Sequence, residues 1–177
     1  MLLSVDASAY QTEETSITFD GNTYAYRFAV VLDAPFSAVA GVVSDHAGLI
    51  RINDSITESR VLEQFSASSL KRRVRLRQCV IGFCFKLVFV ELVEQDGADF
   101  HAVIVPAEST FLDGVADWTL EMLSDTRTRL TLSARQTPDF WIPPLIGPFI
   151  LKRVFDAEVH ETCANIERFA QSAGTDS

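Results

Sequence analysis

Basic residues are in short supply in this chain. Fifteen Lys and Arg stand against 24 Asp and Glu in 177 residues, a formal net charge of −9 with a pI near 4.7. That balance excludes bulk attraction to DNA or RNA, which relies on a domain-wide positive field, and leaves room only for a local basic patch. Cysteine is scarce too. Cys79, Cys84 and Cys163 are an odd set with no CxxC, and no His lies at ligand spacing from them. No metal site is therefore expected, and three reduced thiols in a cytoplasmic protein is the simplest account. Long apolar runs are missing: the longest uncharged one, Phe140–Leu151, has 12 residues, well short of the roughly 20 that cross a bilayer. The opening MLLSVDASAY has an Ala-x-Ala-like pair at Ala7 and Ala9 but lacks the basic and long apolar regions of a signal peptide.

Histidine is equally rare. His46, His101 and His160 are the only imidazoles, and Gly-x-Ser-x-Gly, His-Glu-x-x-His and Gly-rich phosphate loops are absent. No cofactor is expected. Phenylalanine is what the chain has in excess, 13 beside two Trp and three Tyr, within a 47% hydrophobic composition. Aromatic side chains in that number suit a dense core or the wall of an apolar cavity. One domain of this length buries about 70% of its unfolded surface and needs no disulfide or metal to hold it.

Residues 1–16 are small and polar and are expected to form a flexible arm, with one domain over 17–172 and a frayed tail at 173–177. Asp20-Gly21-Asn22 is a turn signal that predicts a hairpin between Ile17–Phe19 and Tyr24–Leu32, with Tyr24, Tyr26, Phe28, Val30 and Leu32 on one face. Pro35 fits the first turn of a helix capped by Asp33 or Ala34, and Ser44-Asp45 a second short helix through Ile50. Six strands follow, predicted at Ile56–Gln64, Ser69–Ile81, Cys84–Glu94, Phe100–Val105, Val115–Leu123 and Arg127–Gln136. Asp96-Gly97, Asp113-Gly114 and Ser124-Asp125 mark breaks between them. Spacing of about ten residues per strand indicates an antiparallel meander with one dry face. Val74, Leu76 and Val80, Ala116, Trp118, Leu120 and Met122, and Leu130, Leu132 and Ala134 fall on that face. The cover is a long helix to about Gln171, whose stripe is Phe155, Val159, Cys163, Ile166 and Phe169/Ala170 and whose wet side carries Lys152, Asp156, Glu161 and Glu167.

This order, with Leu32-Asp-Ala-Pro35 running into the first helix, Asp45 ahead of Ile50-Arg-Ile-Asn53, and the amphipathic terminal helix, resembles the START-like superfamily, also called the SRPBCC or polyketide cyclase/dehydrase and lipid-transport group. The resemblance spans residues 24–172. It implies an α+β helix-grip fold: a curved antiparallel sheet wrapped around a long C-terminal helix, two short helices after the first strand, and a hydrophobic cavity between sheet and helix. Members bind sterols, phospholipids, quinones, polyketides or plant hormones, and a minority are cyclases or aromatases; fold alone does not select among these. Many members carry a tryptophan in the first helix where this chain has Val42 or Val43, a departure that weakens any closer subfamily assignment, such as to the coenzyme Q-binding relatives.

By face, Tyr26, Phe28, Trp118, Leu120, Leu132, Val159 and Cys163 are the expected cavity wall. Phe140, Trp141 and Phe149 are expected at its entrance, either lining it or dipping into a bilayer with Lys152 and Arg153 at the headgroups. A cyclase would need an acid–base pair in the cavity, for which His101, His160 and Asp139 are the candidates; Asp139 otherwise caps a turn. The dry faces hold Val, Leu, Phe and Trp118 with Gln78 as a rare polar exception, the wall of a binder more than of a catalyst. Lys71, Arg73, Arg75 and Arg77 form a ladder on one strand face. It is expected to pair with Glu58, Glu63, Glu91 or Glu94 on adjacent strands, the alternative being recognition of headgroups or an acidic protein partner over a solid core. The reading is a cytoplasmic, bacterial-type module, peripheral to a membrane at most, that binds or carries a lipid, quinone or polyketide. A cyclase or dehydrase in the same cavity is the alternative.

Overall fold

The computed structural model describes residues 10–80, 83–142 and 147–174. Eight strands, β1 (Gln11–Asp20), β2 (Thr23–Leu32), β3 (Ile56–Gln64), β4 (Ser69–Val80), β5 (Phe83–Asp96), β6 (Asp99–Ile104), β7 (Phe111–Ser124) and β8 (Arg127–Pro138), are joined by helix α1 (Phe36–Ser44) and followed by helix α2 (Gly147–Gly174). They form one curved antiparallel sheet in the order β1-β2-β8-β7-β6-β5-β4-β3. Six strands run as a meander, and the N-terminal hairpin is added along β8 through pairs such as Phe28 with Leu132 and Val30 with Leu130.

The hairpin turn forms at Gly21, whose φ of 59° favours a residue without Cβ, and Gly97 does the same at φ 62° between β5 and β6. The dry faces meet as the alternation predicts. Phe28, Val30 and Leu32 of β2 pack with Leu130, Leu132 and Ala134 of β8, with Val39 and Val43 of α1, and with Cys163, Ile166 and Ala170 of α2. Full burial of each such Leu, Ile or Val contributes roughly 1.5–3 kcal/mol. Polar bonds then set the helix in place. The Glu167 carboxylate accepts the Asp33 amide at 2.7 Å, Gln171 donates to the Asp33 carbonyl at 2.8 Å, and Asn165 donates to the Ile52 carbonyl at 3.1 Å.

Several expectations need correction. Gln11–Ser16 are strand, paired from Gln11–Val31 onward, because β2 offers an edge that polar alternating residues can join; positions 1–9 of the expected arm lie outside the described residues. Asp113-Gly114 does not break the chain. It sits inside β7 next to a register shift, and a Cβ on Gly114 would lie 2.7 Å from Ile104 Cγ1, so this glycine makes room for a neighbour. Pro35 is itself the N-cap, its carbonyl accepting the Ala38 and Val39 amides. The second short helix is a single 3-10 turn at Leu49–Arg51, entered through an Asp45 side chain that accepts the Gly48 amide. Met122 is exposed at the far end of β7, beyond what α1 and α2 cover. Glu167, expected in solvent, is buried on the Asp33 amide. Helix α2 continues through Ala173 and Gly174; the remaining expected tail, 175–177, lies outside the described residues.

The cysteines are not three thiols. Cys79 and Cys84 face each other across β4 and β5 and form a disulfide, while Cys163 is a free thiol buried under the sheet. Spacing alone hid this, because a hairpin register brings residues five apart face to face. Burial pushes the Cys163 thiol up to about 12, so it is unreactive while the fold holds. A thiol-reactive chromophore should therefore find no group in the native, unreduced protein, one after unfolding, and three after unfolding and reduction. Three thiols without reduction would refute the bridge.

Candidate ligand-binding site

Helix α2 lies against the sheet unevenly. Cys163, Ile166 and Ala170 are fully buried, whereas Phe155 and Val159, one to two turns earlier on the same stripe, are only half-buried. Between the N-terminal half of the helix and the concave sheet is a cavity of about 700 Å³. Among the described residues six phenylalanines line it: Phe28, Phe85, Phe89, Phe100, Phe140 and Phe155. The interior is therefore not solid.

At the inner end the aromatics are fixed by one another. Trp118 stacks on Phe100 at 5.4 Å between ring centres and meets Phe28 edge-on at 6.3 Å. Behind them lies a buried ion pair, Arg72 Nε to Glu91 Oε2 at 2.8 Å, with both residues only 5% exposed. Arg72 also lies over the Phe100 ring at 5.7 Å and donates to His46 Nδ1 at 2.9 Å. Because arginine only donates, Nδ1 must accept and the His46 proton sits on Nε2, a buried atom with no partner among the described residues. Tyr26 lines the same space, and its hydroxyl makes no hydrogen bond to the described residues. Burial first and the Glu91 charge second raise its pKa, so it stays a neutral donor. Tyr24, raised likewise by burial, donates to Gln136 at 2.6 Å.

A second polar group ties the helix to the sheet margin. Glu158 of α2 accepts from Asn53 at 2.7 Å, from Ser55 at 2.6 Å and from Gln78, while Asn53 also bonds Thr162. Gln78 is thus on the inner face as expected, but as a strut between β4 and α2.

Of the expected wall, Tyr26, Phe28, Trp118, Leu132 and Val159 line the cavity. Leu120 and Cys163 do not: Cys163 is buried in the packed core, and Leu120, half-buried, packs against that core. Phe140 and Trp141 stand at the entrance, Trp141 being 73% exposed, whereas Phe149, 72% exposed, points outside. None of the three acid–base candidates is in the cavity. His101 bonds Asp117 at 2.6 Å on the outer sheet face, His160 bonds Tyr10 across the outside of α2, and Asp139 is exposed at the end of β8. The arginine ladder is largely neutralised as expected: Glu58 holds Arg73 and Arg75, each at 2.8 Å, and Arg60 besides, while Lys71 pairs with Glu108. Arg72, Glu91, Asn53 and Glu158 went unforeseen. Strand alternation held the signal for Arg72, since a ladder at 71, 73, 75 and 77 places 72 inside, directly opposite Glu91.

No family model matches the chain, and no curated protein does. Solved structures do. A START superfamily protein from Mycobacterium smegmatis superposes with a TM-score of 0.65 at 15% identity, over 84% of this chain and 98% of that one. The Zhui aromatase/cyclase from Streptomyces sp. R1128 gives 0.64 at 17%, over 83% and 93%. Human StAR-related lipid transfer protein 5 gives 0.66 at 14%, over 93% and 89%. The chain has the START-like, SRPBCC helix-grip fold. At these identities the likeness is one of fold.

Burial, with the Arg72 charge adding to it, lowers the His46 pKa from 6.5 to about 4. Between those values the unfolded chain binds the proton and the folded one does not, so stability falls as pH falls through that window. In urea unfolding, the stability of the parent relative to a His46→Gln variant should drop by about 2 kcal/mol between pH 7 and pH 4.5. Parallel pH curves would overturn this placement of His46.

Proposed function

We propose that the chain binds a single hydrophobic small molecule, a lipid, quinone or polyketide-like ring, between the sheet and α2. The observation that carries this reading is an aromatic cavity of about 700 Å³ whose depth holds a buried ion pair, Arg72–Glu91. Burial of apolar ligand surface supplies about 25 cal/mol per Å² before losses, which is affinity without selectivity. Selectivity comes from the pole. An oxygen-bearing head placed at Arg72, Glu91 and the free Tyr26 hydroxyl finds donors and an acceptor whose desolvation folding has already met, while the tail lies toward Phe85 and Trp141. Solved structures of the same fold include a StAR-related lipid transfer protein and an aromatase/cyclase, and the lipid transfer protein supports a hydrophobic ligand here.

A second reading, cyclisation or dehydration of a polyketide in the same space, is favoured by one detail. A neutral Tyr26 hydroxyl with no hydrogen-bond partner among the described residues stands among the cavity groups beside a fixed charge pair. It would act as the proton donor, with Arg72 steadying developing negative charge on a carbonyl oxygen. The imidazoles at 101 and 160 have no part in it.

Among the described residues no helix is long and apolar enough to cross a membrane. The cytoplasmic location expected from three thiols loses its support with the Cys79–Cys84 bond, since disulfides persist in oxidising compartments.

Native mass spectrometry of the purified chain, with organic extraction of what co-purifies, tests the reading directly. A retained lipid, quinone or polyketide is expected. In titrations with a fluorescent polyene fatty acid, Trp118→Ala should weaken binding by about tenfold or more while thermal unfolding remains cooperative. Unchanged affinity would remove Trp118, and with it the inner end of the cavity, from the site.

A further inference from the structure

Two segments that reach the cavity entrance carry charges of one sign, with Asp139 and Asp156 lying just outside them. Residues 64–90, which include β4 and the first half of β5, and residues 140–155, which lead into α2, contain none of the 24 acidic side chains but eight of the fifteen basic ones. Most of the eight are spoken for by acids from elsewhere: Lys71, Arg72, Arg73, Arg75 and Lys152 each have an ion-pair partner. Arg77, Lys86 and Arg153 have none among the described residues, and all three are exposed. Arg77 and Lys86 stand directly opposite each other on β4 and β5. Like charges in that position repel, and no carboxylate has been placed to relieve them.

The same region exposes aromatic rings. Phe85, Phe140 and Trp141 line the cavity and yet face solvent at 48%, 39% and 73%, and Phe149 is exposed in the first turn of α2. Exposed aromatics beside unpaired cations are the two halves of an interfacial anchor, the rings entering the headgroup layer while Arg and Lys meet phosphates.

We propose that the cavity entrance docks on a bilayer rich in anionic lipid, Trp141 and Phe149 entering the interface and Arg77, Lys86 and Arg153 holding the headgroups. The rest of the chain, at a net charge of −9 overall, is repelled by such a surface, so contact is confined to this end and is reversible. Docking goes beyond ligand binding itself and stands or falls separately from it.

The test is flotation with vesicles of phosphatidylcholine alone and of phosphatidylcholine mixed with phosphatidylglycerol. The protein should float with the mixed vesicles only, and less as salt is raised. Arg77→Glu with Lys86→Glu, and separately Trp141→Ser with Phe149→Ser, should each weaken flotation by about tenfold or more. In a Trp118→Phe background, where Trp141 is the one remaining tryptophan, its emission should shift to the blue on the mixed vesicles and be quenched by lipids brominated along the chain. No flotation on either vesicle, or variants that float like the parent, would overturn the proposal. Flotation that responds to the charge changes but not to the aromatic ones would overturn the insertion of Trp141 and Phe149 and leave electrostatic adsorption alone. The polyene fatty acid titration without vesicles is the control: Arg77→Glu with Lys86→Glu, and Phe149→Ser on its own, change no cavity-lining residue and should bind it as the parent does while floating less, so loss of docking is not mistaken for loss of the cavity.

Discussion

The seating of the C-terminal half of α2 governs the rest of this molecule. Cys163, Ile166 and Ala170 are buried to completion against β2, β8 and α1, and the Glu167–Asp33 and Asn165–Ile52 bonds fix the helix in rotation. A rigid helix so pinned cannot also follow a sheet that curves away from it. Over residues 150–159 the gap widens beyond what side chains fill, and six phenylalanines end up facing one another across space. The cavity is thus a consequence of tight packing elsewhere. Were the helix less firmly held, it would settle into the sheet, since closing an apolar void gains contacts. The Glu158 struts to Asn53, Ser55 and Gln78 oppose that settling on the side where the core gives no support.

An ion pair in such a setting needs its own explanation. Arg72 and Glu91 leave water on folding, a cost of several kcal/mol per charge that their attraction only roughly recovers. A hydrophobic pair of similar volume would fit a stability role at least as well. What charges provide, and leucines do not, is direction: a polar inner end and an apolar outer one. His46 belongs to the same design. By accepting from Arg72 it holds one N–H of the guanidinium in place and leaves others toward the cavity, and burial keeps it neutral so that no second positive charge competes with Glu91.

Much of the fold was legible because period-two alternation and turn chemistry are local. Asp20-Gly21-Asn22, the β3 and β8 starts and the stripe along α2 follow from neighbours in sequence. The misreadings share a cause as well. Gly114 answers to the Ile104 side chain of another strand, Glu167 to a backbone amide 134 residues away, and the Cys79–Cys84 bond to a register. Residue types that signal a turn, a wet face or a free thiol were recruited for long-range partners. The site was half legible for the same reason. Tyr26, Phe28, Trp118 and Leu132 follow from facing, but whether a dry residue borders a void or a neighbour depends on where the helix stops touching the sheet. That is why Cys163 is core while Val159, on the same stripe, is wall. Arg72 was concealed by the company it keeps, one inward arginine inside a run read as an outward ladder.

The outer end of the cavity is built on different terms from the inner one. Strand β6 pairs with β5 only from Glu91 onward, and β3 leaves β4 near Leu76, so beyond that point β4 and β5 have only each other as strand neighbours among the described residues, with the Gln78 side chain reaching Glu158 of α2. A lone pair of strands is marginal in water. Here it carries Phe85 inward, Arg77 and Lys86 outward in mutual repulsion, and is closed by Cys79–Cys84. The covalent link supplies at this end what neighbouring strands supply everywhere else, and it allows the arm to tolerate a repulsive cation pair and an exposed ring. Core packing would have forbidden both features. A cross-linked two-strand arm permits them, and so leaves the entrance chemically distinct from the closed, neutralised end around Arg72.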